Sequence, residues 1–382
     1  MKILHIDLTG PYTEGATYQE NFLPAEQVKL GHEVVFWATV YEWANGRLNY
    51  VGEGRKILDN GVTLQRLPYA YVITKFLSDK IRACKGLYKK LCDEKPDMIM
   101  IHDGQTAIIS DVCRYVSDHP EVRFIADSHT DPLNSATNWL SKLLLHKLFY
   151  RYYMRKLYES VEALYCISPE VKSYISELYG LPDEKLRALP LGGVVLEEAE
   201  YQAARMQKRS ELMLQQTTIN IVHSGKLKEE KRTKDLLKAF GLIDDENVHL
   251  TLIGAAEGEV LEAIEDSSKS DPRISWLGWK SGKELTQYLC SGDIYILPGD
   301  VSATVQNAMC CRCGIIVYPY EIYKAMGQNE VCYVRTVDEL EDSLRILIND
   351  SSLVTKIKDE AFAYAKNNLD YATQAVQLIE GK

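Results

Sequence analysis

The sequence contains no run of 18 apolar residues, and it opens with MKILHIDL, which is typical of a buried strand and not of a secretion signal. These absences predict a soluble protein of the cytoplasm. Basic residues are outnumbered, and the net charge of -10 over 382 residues argues against nucleic-acid binding, because phosphate backbones attract basic surfaces. The nine cysteines are an odd number, which indicates reduced thiols and no disulfide framework.

Strand-like and helical segments alternate along the chain, which is the pattern of parallel sheets with crossover helices. We predict a first series of strands at KILHIDL, EVVFWAT, VTLQRLP, DMIMIHD, RFIADS and ALYCIS. A second series is predicted at INIVHSG, VHLTLIG, ISWLGW, DIYILPG, GIIVYP and EVCYVR. Two such series indicate an α/β protein with two doubly wound, Rossmann-like domains. Open parallel sheets bind ligands beyond the carboxyl ends of their strands, so we expect a site in the cleft between two facing domains.

The domain boundaries are predicted from where strand character is lost. We expect a first domain over residues 1–194, an exposed and charged linker over 195–215, and a second domain over 216–368. The C-terminal helix, about 369–382, is a candidate to pack back on the first domain.

Two lysines follow the first strand of the second series. Lys226 and Lys231 precede the amphipathic helix TKDLLKAF, and ammonium groups placed there can hold a diphosphate. The alternative is a lysine-rich surface turn, since KLKEEKRTK holds five basic residues and two acids.

The segment LPGDVSATVQNAMCCRCG joins a strand to a helix. Ser302 is predicted to cap a helix that begins near Ala303, which leaves the amides of Ala303, Thr304 and Val305 free to bind an anion. Any turn from strand to helix has similar chemistry, so a purely structural role is the alternative.

Three cysteines in the same segment raise the question of a metal site. In a helix Cys310 and Cys313 share a face, whereas Cys311 points about 100° away. No fourth ligand has suitable spacing, although zinc sites normally close with four ligands. Core packing is therefore the preferred interpretation.

The order of these segments resembles the retaining glycosyltransferases of family four, whose GT-B fold has two Rossmann-like domains facing across a cleft. The family's Gly-Arg and Lys-Gly pattern is matched by VHSGKLKEEKRTKDLLKAF, with Gly225 and Lys226 at the first pair, Lys231 at the lysine and Arg232 in place of the second glycine. Further segments that resemble the family are LTLIGAAEGE, RISWLGWKSGKELTQYLCSGDIYILPG, GPYTEGATYQENFLPAEQVKLGHEVVFW, ISPEVKSYI and LPLGGV. The resemblance covers essentially the whole chain.

The chain departs from the family at a pair of glutamates eight positions apart. Gly299 stands at the first position, with Asp300 adjacent, and Asn307 stands at the second. An amide at Asn307 can still hydrogen-bond ribose hydroxyls. PGDVSATVQNA is similar to a variant branch that lacks the pair, which favours an active enzyme.

The resemblance implies transfer of a hexose from a UDP- or GDP-sugar with retention of configuration. It places the donor at Gly225, Asp300, Ser302 and Asn307, and we assign Lys226, Lys231 and the amides of Ala303 and Thr304 to the departing diphosphate. No Asp-x-Asp motif is present, so we expect neither a catalytic metal nor a cofactor. Trp279 and Lys280 lie near the expected base pocket, where an aromatic residue is as often part of the core.

In the first domain, the resemblance implies that the Gly15 and Ala16 loop approaches the diphosphate and sugar. It also implies that His129, in ADSHTDPLNS, lies near the sugar hydroxyls, where a neutral histidine can donate or accept a hydrogen bond without altering the charge. The alternative for His129 is a loop histidine whose turn is capped by Asp127 and Asp131. His102 is another strand-end candidate, for which a packed histidine is the preferred interpretation.

The acceptor is assigned to the first domain, as a glycan or a polyprenyl-linked glycan used in surface polysaccharide biosynthesis. Residues 75–90 hold six basic residues and one acid, and NWLSKLLLHKLFYRYYMRKLYES mixes cations with aromatics at helical spacing. Such segments can contact an anionic membrane from the cytoplasm, or they can be partly buried helices with snorkelling cations. A nucleotide-sugar 2-epimerase and a non-catalytic binder of nucleotide sugars are the competing functions.

Overall fold

The computed structural model describes residues 1–44, 47–130, 148–328 and 332–381. The chain divides into two compact units, the first formed by Met1–Pro190 and Ala375–Lys382 and the second by Leu191–Gln374. Within the described ranges, no helix is long and apolar enough to cross a bilayer.

The first unit is built on an eight-stranded sheet in the order β10-β9-β8-β7-β1-β2-β6-β5, in which only β5 and β6 pair in antiparallel fashion. A separate antiparallel hairpin consists of β3 and β4. The elements are β1 (Lys2–Asp7), α1 (Gln19–Lys29), β2 (Glu33–Thr39), β3 (Tyr41–Ala44), β4 (Arg47–Tyr50), β5 (Gly54–Ile57), β6 (Thr63–Leu67), α2 (Lys75–Ile81), α3 (Leu87–Glu94), β7 (Met98–His102), α4 (Ile109–Asp118), β8 (Arg123–Ser128), α5 (Arg151–Ser160), β9 (Ala163–Cys166), α6 (Pro169–Tyr179) and β10 (Leu186–Ala188).

The second unit contains a five-stranded parallel sheet in the order β13-β12-β11-β14-β15. Its elements are α7 (Glu198–Glu211), β11 (Ile219–Ser224), α8 (Thr233–Gly241), β12 (Val248–Ile253), α9 (Gly258–Ser270), β13 (Ile274–Trp276), α10 (Gly282–Ser291), β14 (Ile294–Leu297), α11 (Thr304–Cys310), β15 (Gly314–Val317), α12 (Glu321–Lys324), α13 (Val337–Asn349) and α14 (Ser351–Asn368). The last helix, α15 (Tyr371–Glu380), begins in the second unit and ends in the first.

Both large sheets are buried on both faces, as parallel sheets require. In β2, Val35 and Trp37 enter one apolar cluster, whereas Val34 and Phe36 enter the other. This explains why the central strands are continuous apolar runs and why the sequence locates them well. Ala375 and Leu378 of α15 belong to the core of the first unit.

The sequence locates the short and exposed strands poorly. It misses β3, β4, β5 and β10, whose residues are mostly solvent-exposed and therefore lack an apolar pattern. The predicted strand EVCYVR is wrong in its described part, where residues 332–335 form only an isolated bridge between Tyr333 and Val317. Residues 330–331 lie outside the described residues.

The segment predicted as an exposed linker, 195–215, contains a packed helix. Helix α7 lies against α10, and Arg209 is only 2% exposed. The arginines of α7 can be buried because Asp293 accepts hydrogen bonds from Arg205 at 2.7 Å and from Arg209 at 3.1 Å. These arginines are among the charged residues that predict a solvated linker, and the Asp293 carboxylate neutralises them inside the second unit.

Candidate functional site

The loops at the carboxyl ends of β11, β12 and β13 form a pocket of about 900 Å³ in the second unit. Open parallel sheets place ligands at this edge. The pocket is lined by Lys226, Leu227, Lys228, Glu229, Glu230, Lys234, Ala255, Glu257, Gly258, Glu259, Val260 and Trp279.

The pocket brings Lys226 and Trp279 together, although they are 53 positions apart in the sequence. The Trp279 side chain is 67% exposed, so the interpretation of this residue as part of the core is wrong. Lys280 does not line the pocket, and its ammonium lies 5.9 Å from the ring of Tyr288. A cation and a free aromatic ring suit a ligand that joins a phosphate to a planar base.

Gly225 fixes the path of the chain into this pocket. Its φ of 136° is a backbone conformation that L side chains rarely adopt. Its N–H donates to Ile253 O at 3.0 Å, which holds the loop after β11 beside β12. Lys226, the next residue, is thereby placed at the mouth of the pocket.

Lys231 lies under the loop that follows β14. Its ammonium donates to Val301 O at 2.8 Å and to Asp300 O at 3.3 Å, and it lies 4.0 Å from Asp300 Oδ2. Burial lowers the pKa of Lys231, and the Asp300 and Glu230 carboxylates offset part of that effect. Lys231 therefore positions the 300–301 loop in this structure.

Gly299 occupies a position where no side chain fits. A Cβ atom added there would lie 2.1 Å from Glu230 O and 2.8 Å from Lys231 Cα. The backbone of residues 230–231 crosses directly over this position, and Asp300 N donates to Glu230 O at 2.7 Å. A glutamate at this position would be sterically incompatible with this backbone.

The turn before α11 differs from the prediction. The helix begins at Thr304, its N-cap residue is Ala303, and it is seven residues long. Val305 N donates to Ser302 O at 3.1 Å, and Thr304 N donates to Ser302 Oγ at 3.4 Å. Of the three amides predicted to be free, only that of Ala303 has no hydrogen-bond partner among the described residues, because Ser302 satisfies the other two.

Asn307 lies on α11 beside Gly193. Its Oδ1 would be 2.8 Å from a Cβ atom at Gly193, so this glycine allows the backbone to pass close to the Asn307 amide. Asp300 has another local role, because its Oδ1 accepts from Val301 N at 2.7 Å.

The three clustered cysteines are buried in the apolar core of the second unit. Helix α11 ends at Cys310 and Arg312 has a φ of 65°, so the prediction that Cys310 and Cys313 share a helix face is wrong. The Cys311 thiol donates to Thr286 O at 3.6 Å and the Cys313 thiol to Leu289 O at 3.2 Å.

The first unit has a separate polar pocket of about 240 Å³. Strands β1, β7 and β8 are neighbours in the sheet, and their carboxyl ends supply most of its lining. The lining residues are Asp7, Thr9, Gly10, Glu20, Arg82, His102, Asp103, Gln105, His129 and Thr130. Sequence analysis missed Asp7 and Asp103, although both stand at strand ends.

A buried chain of hydrogen bonds runs behind this pocket. Asp127 Oδ2 lies 2.8 Å from His102 Nδ1, His102 Nε2 lies 3.0 Å from His5 Nδ1, and His5 Nε2 lies 2.7 Å from Gln27 Oε1. His5 therefore donates to Gln27 and accepts at Nδ1, so both His102 nitrogens donate. Burial alone would lower the pKa of His102, but the Asp127 carboxylate raises it. His102 is thus a packed, cationic histidine.

His129 lies at the open end of this network. Burial would lower its pKa, but the carboxylates of Asp127, 3.6 Å away, and of Asp103 raise it to about 10. This pKa favours a protonated ring at His129, where a neutral one was considered in the sequence analysis. Asp103 Oδ1 also accepts the backbone N–H of His129 at 2.9 Å, which fixes the loop. Asp127 acts as an ion-pair partner, and Asp131 lies outside the described residues.

His102, Asp127 and His129 are the only group found in the described ranges whose ligand atoms could hold a metal ion together. Burial and Glu20 raise the pKa of Asp7 in the same pocket to about 6. The Gly15 and Ala16 loop does not line this pocket. Gly15 has a φ of 71°, and Ala16 N donates to Thr13 O at 3.3 Å.

Comparison with known proteins identifies the family of the chain. The model of Glycosyltransferase Family 4 matches residues 23–192, and that of Glycosyl transferases group 1 matches residues 218–350. The two matches cover most of both units. The chain belongs to the family-4 type of glycosyltransferases and is an enzyme.

Solved structures show the same fold. Sucrose-phosphate synthase from Thermosynechococcus elongatus is 11% identical, with a TM-score of 0.67 over 100% of this chain and 98% of that chain. Anabaena HepE in complex with UDP is 13% identical, with a TM-score of 0.65 over 100% and 99%. These likenesses identify the GT-B fold.

A curated relative from Klebsiella pneumoniae, an uncharacterized 41.2 kDa protein in the cps region, is 27% identical over 101 residues. The aligned part is 26% of this chain and 27% of the relative, so the chain spans about a quarter of the relative's length.

Proposed function

We propose that this glycosyltransferase moves a hexose from a nucleotide diphosphate sugar to a glycan or a polyprenyl-linked glycan, with retention of configuration and without a catalytic metal. The observation that carries this proposal is the second-unit pocket, where the exposed Lys226 and the exposed Trp279 ring line one cavity. The base would stack on Trp279 and the diphosphate would face Lys226.

In the proposed reaction the bond between the anomeric carbon and the diphosphate oxygen breaks, and its electron pair leaves with the phosphate. The acceptor hydroxyl oxygen forms the new bond on the same face, and its proton passes to the departing phosphate. Negative charge therefore grows on the leaving group, which is where fixed cations and N–H donors lower the barrier most.

We assign Lys226, Lys231 and the amide of Ala303 to this charge, whereas the Thr304 amide, which we first expected to contribute, is bound by Ser302 Oγ. Lys231 acts through the 300–301 loop, whose backbone carbonyls its ammonium already binds. Asp300 and Ser302 would contribute to donor binding. Asn307 would bind the ribose. His129, as an imidazolium, would donate to a sugar hydroxyl, and the Gly15 and Ala16 loop would approach the diphosphate.

The donor and the pathway are proposed from relatives. HepE was solved with UDP and with UDP-glucose, which supports a uridine nucleotide as the first donor to test. The cps-region relative supports a role in surface polysaccharide biosynthesis. We propose the cytoplasmic face of the membrane as the place of this reaction.

The test is replacement of Lys226 by alanine. Loss of a charge-assisted contact to phosphate is expected to weaken UDP binding about 10-fold to 100-fold, as measured by calorimetry, and to lower UDP release with an acceptor extract by a similar factor. Lys283→Ala, an exposed lysine of the same unit outside the pocket, is the matched control.

Unchanged UDP affinity in Lys226→Ala would contradict the donor site. The same assay separates the competing functions, because acceptor-dependent UDP release indicates transfer, whereas isomerised donor without acceptor indicates a 2-epimerase. Binding with neither product would indicate a non-catalytic protein.

A further inference from the structure

The exposed apolar side chains of the described residues are concentrated in one part of the first unit. Nine of the 19 large ones lie between residues 43 and 77. Seven of them belong to the β3–β4 hairpin and to residues 71–77, which lead into α2 and form its first residues, and we call these seven the apolar face. They are Trp43, Leu48, Tyr50, Tyr71, Ile73, Phe76 and Leu77.

The hairpin contributes a one-sided apolar surface. Tyr41 pairs with Tyr50 and Trp43 with Leu48 across the two strands, so these four side chains share one face. Glu42, on the other face, lies 3.6 Å from the guanidinium of the buried Arg66. The hairpin therefore directs its acidic residue toward the unit and its aromatic residues away from it.

Two hydrogen bonds hold the segment 71–77 in its exposed position. Thr74 caps α2 by accepting from Leu77 N at 3.2 Å, and Ser78 Oγ accepts from Val72 N at 2.8 Å. Ile73, 78% exposed, has a φ of 56°, which is costly for a β-branched residue. A strained apolar residue at a fixed, exposed tip indicates a function at that tip.

Lysines join the two parts into one surface. The Lys75 ammonium lies 5.2 Å from the centre of the Tyr41 ring, and the Lys80 ammonium lies 6.0 Å from that of Phe76. Lys85 and Lys89 are also exposed just beyond α2. Within 75–90 the single acid, Asp79, is paired with Lys75 at 2.7 Å.

We infer that the apolar face inserts into the headgroup region of an anionic bilayer while the surrounding lysines bind its lipid phosphates. Aromatic and aliphatic side chains surrounded by cations have the chemistry of an interfacial membrane anchor. Charge complementarity selects this partner, because the patch is basic in a chain whose net charge is -10.

Helix α2 connects the proposed membrane contact to the polar pocket of the first unit. The helix ends at Ile81, and the next residue, Arg82, lines the polar pocket of the first unit. Docking would hold that pocket at the bilayer surface, within reach of a lipid-linked acceptor. This consequence rests on the proposed function, whereas membrane binding itself does not.

The test is flotation of the full chain with vesicles of phosphatidylcholine containing about one third phosphatidylglycerol. We expect binding that falls with rising salt and is weak on pure phosphatidylcholine. Ile73→Ser with Phe76→Ser is expected to weaken binding at least about tenfold. Leu242→Ser with Ile346→Ser, at two exposed apolar positions of the second unit, is the matched control.

Charge is tested by Lys75→Gln, Lys80→Gln and Lys85→Gln together, with Lys283→Gln, Lys356→Gln and Lys366→Gln as the control set. The first set is expected to lose the preference for anionic vesicles, whereas the control set keeps it. Thermal unfolding and UDP binding establish that each variant is folded, and they keep this result separate from the donor-site test.

Three outcomes would overturn the inference. They are failure of the wild-type chain to float with anionic vesicles, unchanged flotation of the Ile73 and Phe76 variant, and a dimer in solution that this variant dissociates. The last outcome would assign the apolar face to a second copy of the chain.

Discussion

At the scale of single residues, the charge of the first-unit pocket depends on whether its two lining histidines are protonated. His102 and His129 share the buried carboxylate of Asp127, and Asp103 supplies a second negative charge next to His129. The network therefore favours a positively charged His129 in the lining of the pocket, whereas an unperturbed histidine would be mostly neutral at pH 7.

The raised pKa of His129 predicts how stability depends on pH. A proton held more tightly in the folded state stabilises it fully below the ordinary histidine pKa of about 6.5, and this stabilisation is lost as the pH rises toward the folded pKa of about 10. The slope contributed by one group is at most about 1.4 kcal/mol per pH unit. His129→Gln is expected to remove this slope in urea unfolding measured from about pH 7 to pH 9.

His119→Gln is the control, since His119 lies 3.4 Å from Glu121 at the surface. If the His129 variant kept the same fall in unfolding free energy as the wild type, the extra proton would not reside on His129.

At the scale of elements, Asp293 holds three segments of the second unit together. Its carboxylate accepts from Arg205 and Arg209 of α7, from Lys358 of α14 at 2.7 Å, and from Asn220 N of β11 at 3.0 Å. Burial would raise its pKa, but Lys358 and Arg205 hold it at about 2. The predicted linker is a structural helix because of this carboxylate.

Removing this carboxylate should destabilise the second unit. Asp293→Ala leaves three cations without their counter-charge, and we expect a loss of about 3–5 kcal/mol in the free energy of urea unfolding. Glu265→Ala removes an exposed pair with Lys269 and should change stability by less than about 1 kcal/mol. Equal effects of the two substitutions would show that the Asp293 network adds no more than a surface pair.

At the scale of the whole molecule, the end of the chain completes the core of its beginning. Leu378 of α15 is 1% exposed and packs with residues of β1, β2 and β7, while Arg123 donates to Leu378 O at 3.3 Å. The first unit is therefore discontinuous in sequence.

This discontinuity predicts that the final helix is needed for stability of the first unit. Leu378→Ala should lower the free energy of unfolding by about 2–5 kcal/mol, and a chain that ends at Gln374 should lose still more. Leu242→Ala, at a half-exposed leucine, is the control. A melting curve of the shortened chain identical to that of the wild type would contradict the assignment of residues 375–382 to this core.

The family and the central strands were predictable from sequence, because buried parallel strands are long apolar runs and the motifs around Gly225 and Lys226 are local. The polar contacts were less predictable. A neutral ring was considered at His129, the 195–215 segment was expected to be exposed, and the amides at Thr304 and Val305 were expected to be free. Each difference concerns partners that are distant in sequence or a turn whose geometry the sequence leaves open.

The two α/β units, their strand core and the glycosyltransferase family follow from the order of residues alone, since hydrophobic periodicity and motif order are local properties of the chain. Which charges meet depends on the folded structure. Folding places the carboxylates of Asp103 and Asp127 near His129. It also packs the backbone of residues 230–231 against Gly299, and it leaves Ile73 and Phe76 exposed near lysines. Exposure and pKa depend on neighbours in space, and packing brings those neighbours from distant parts of the chain.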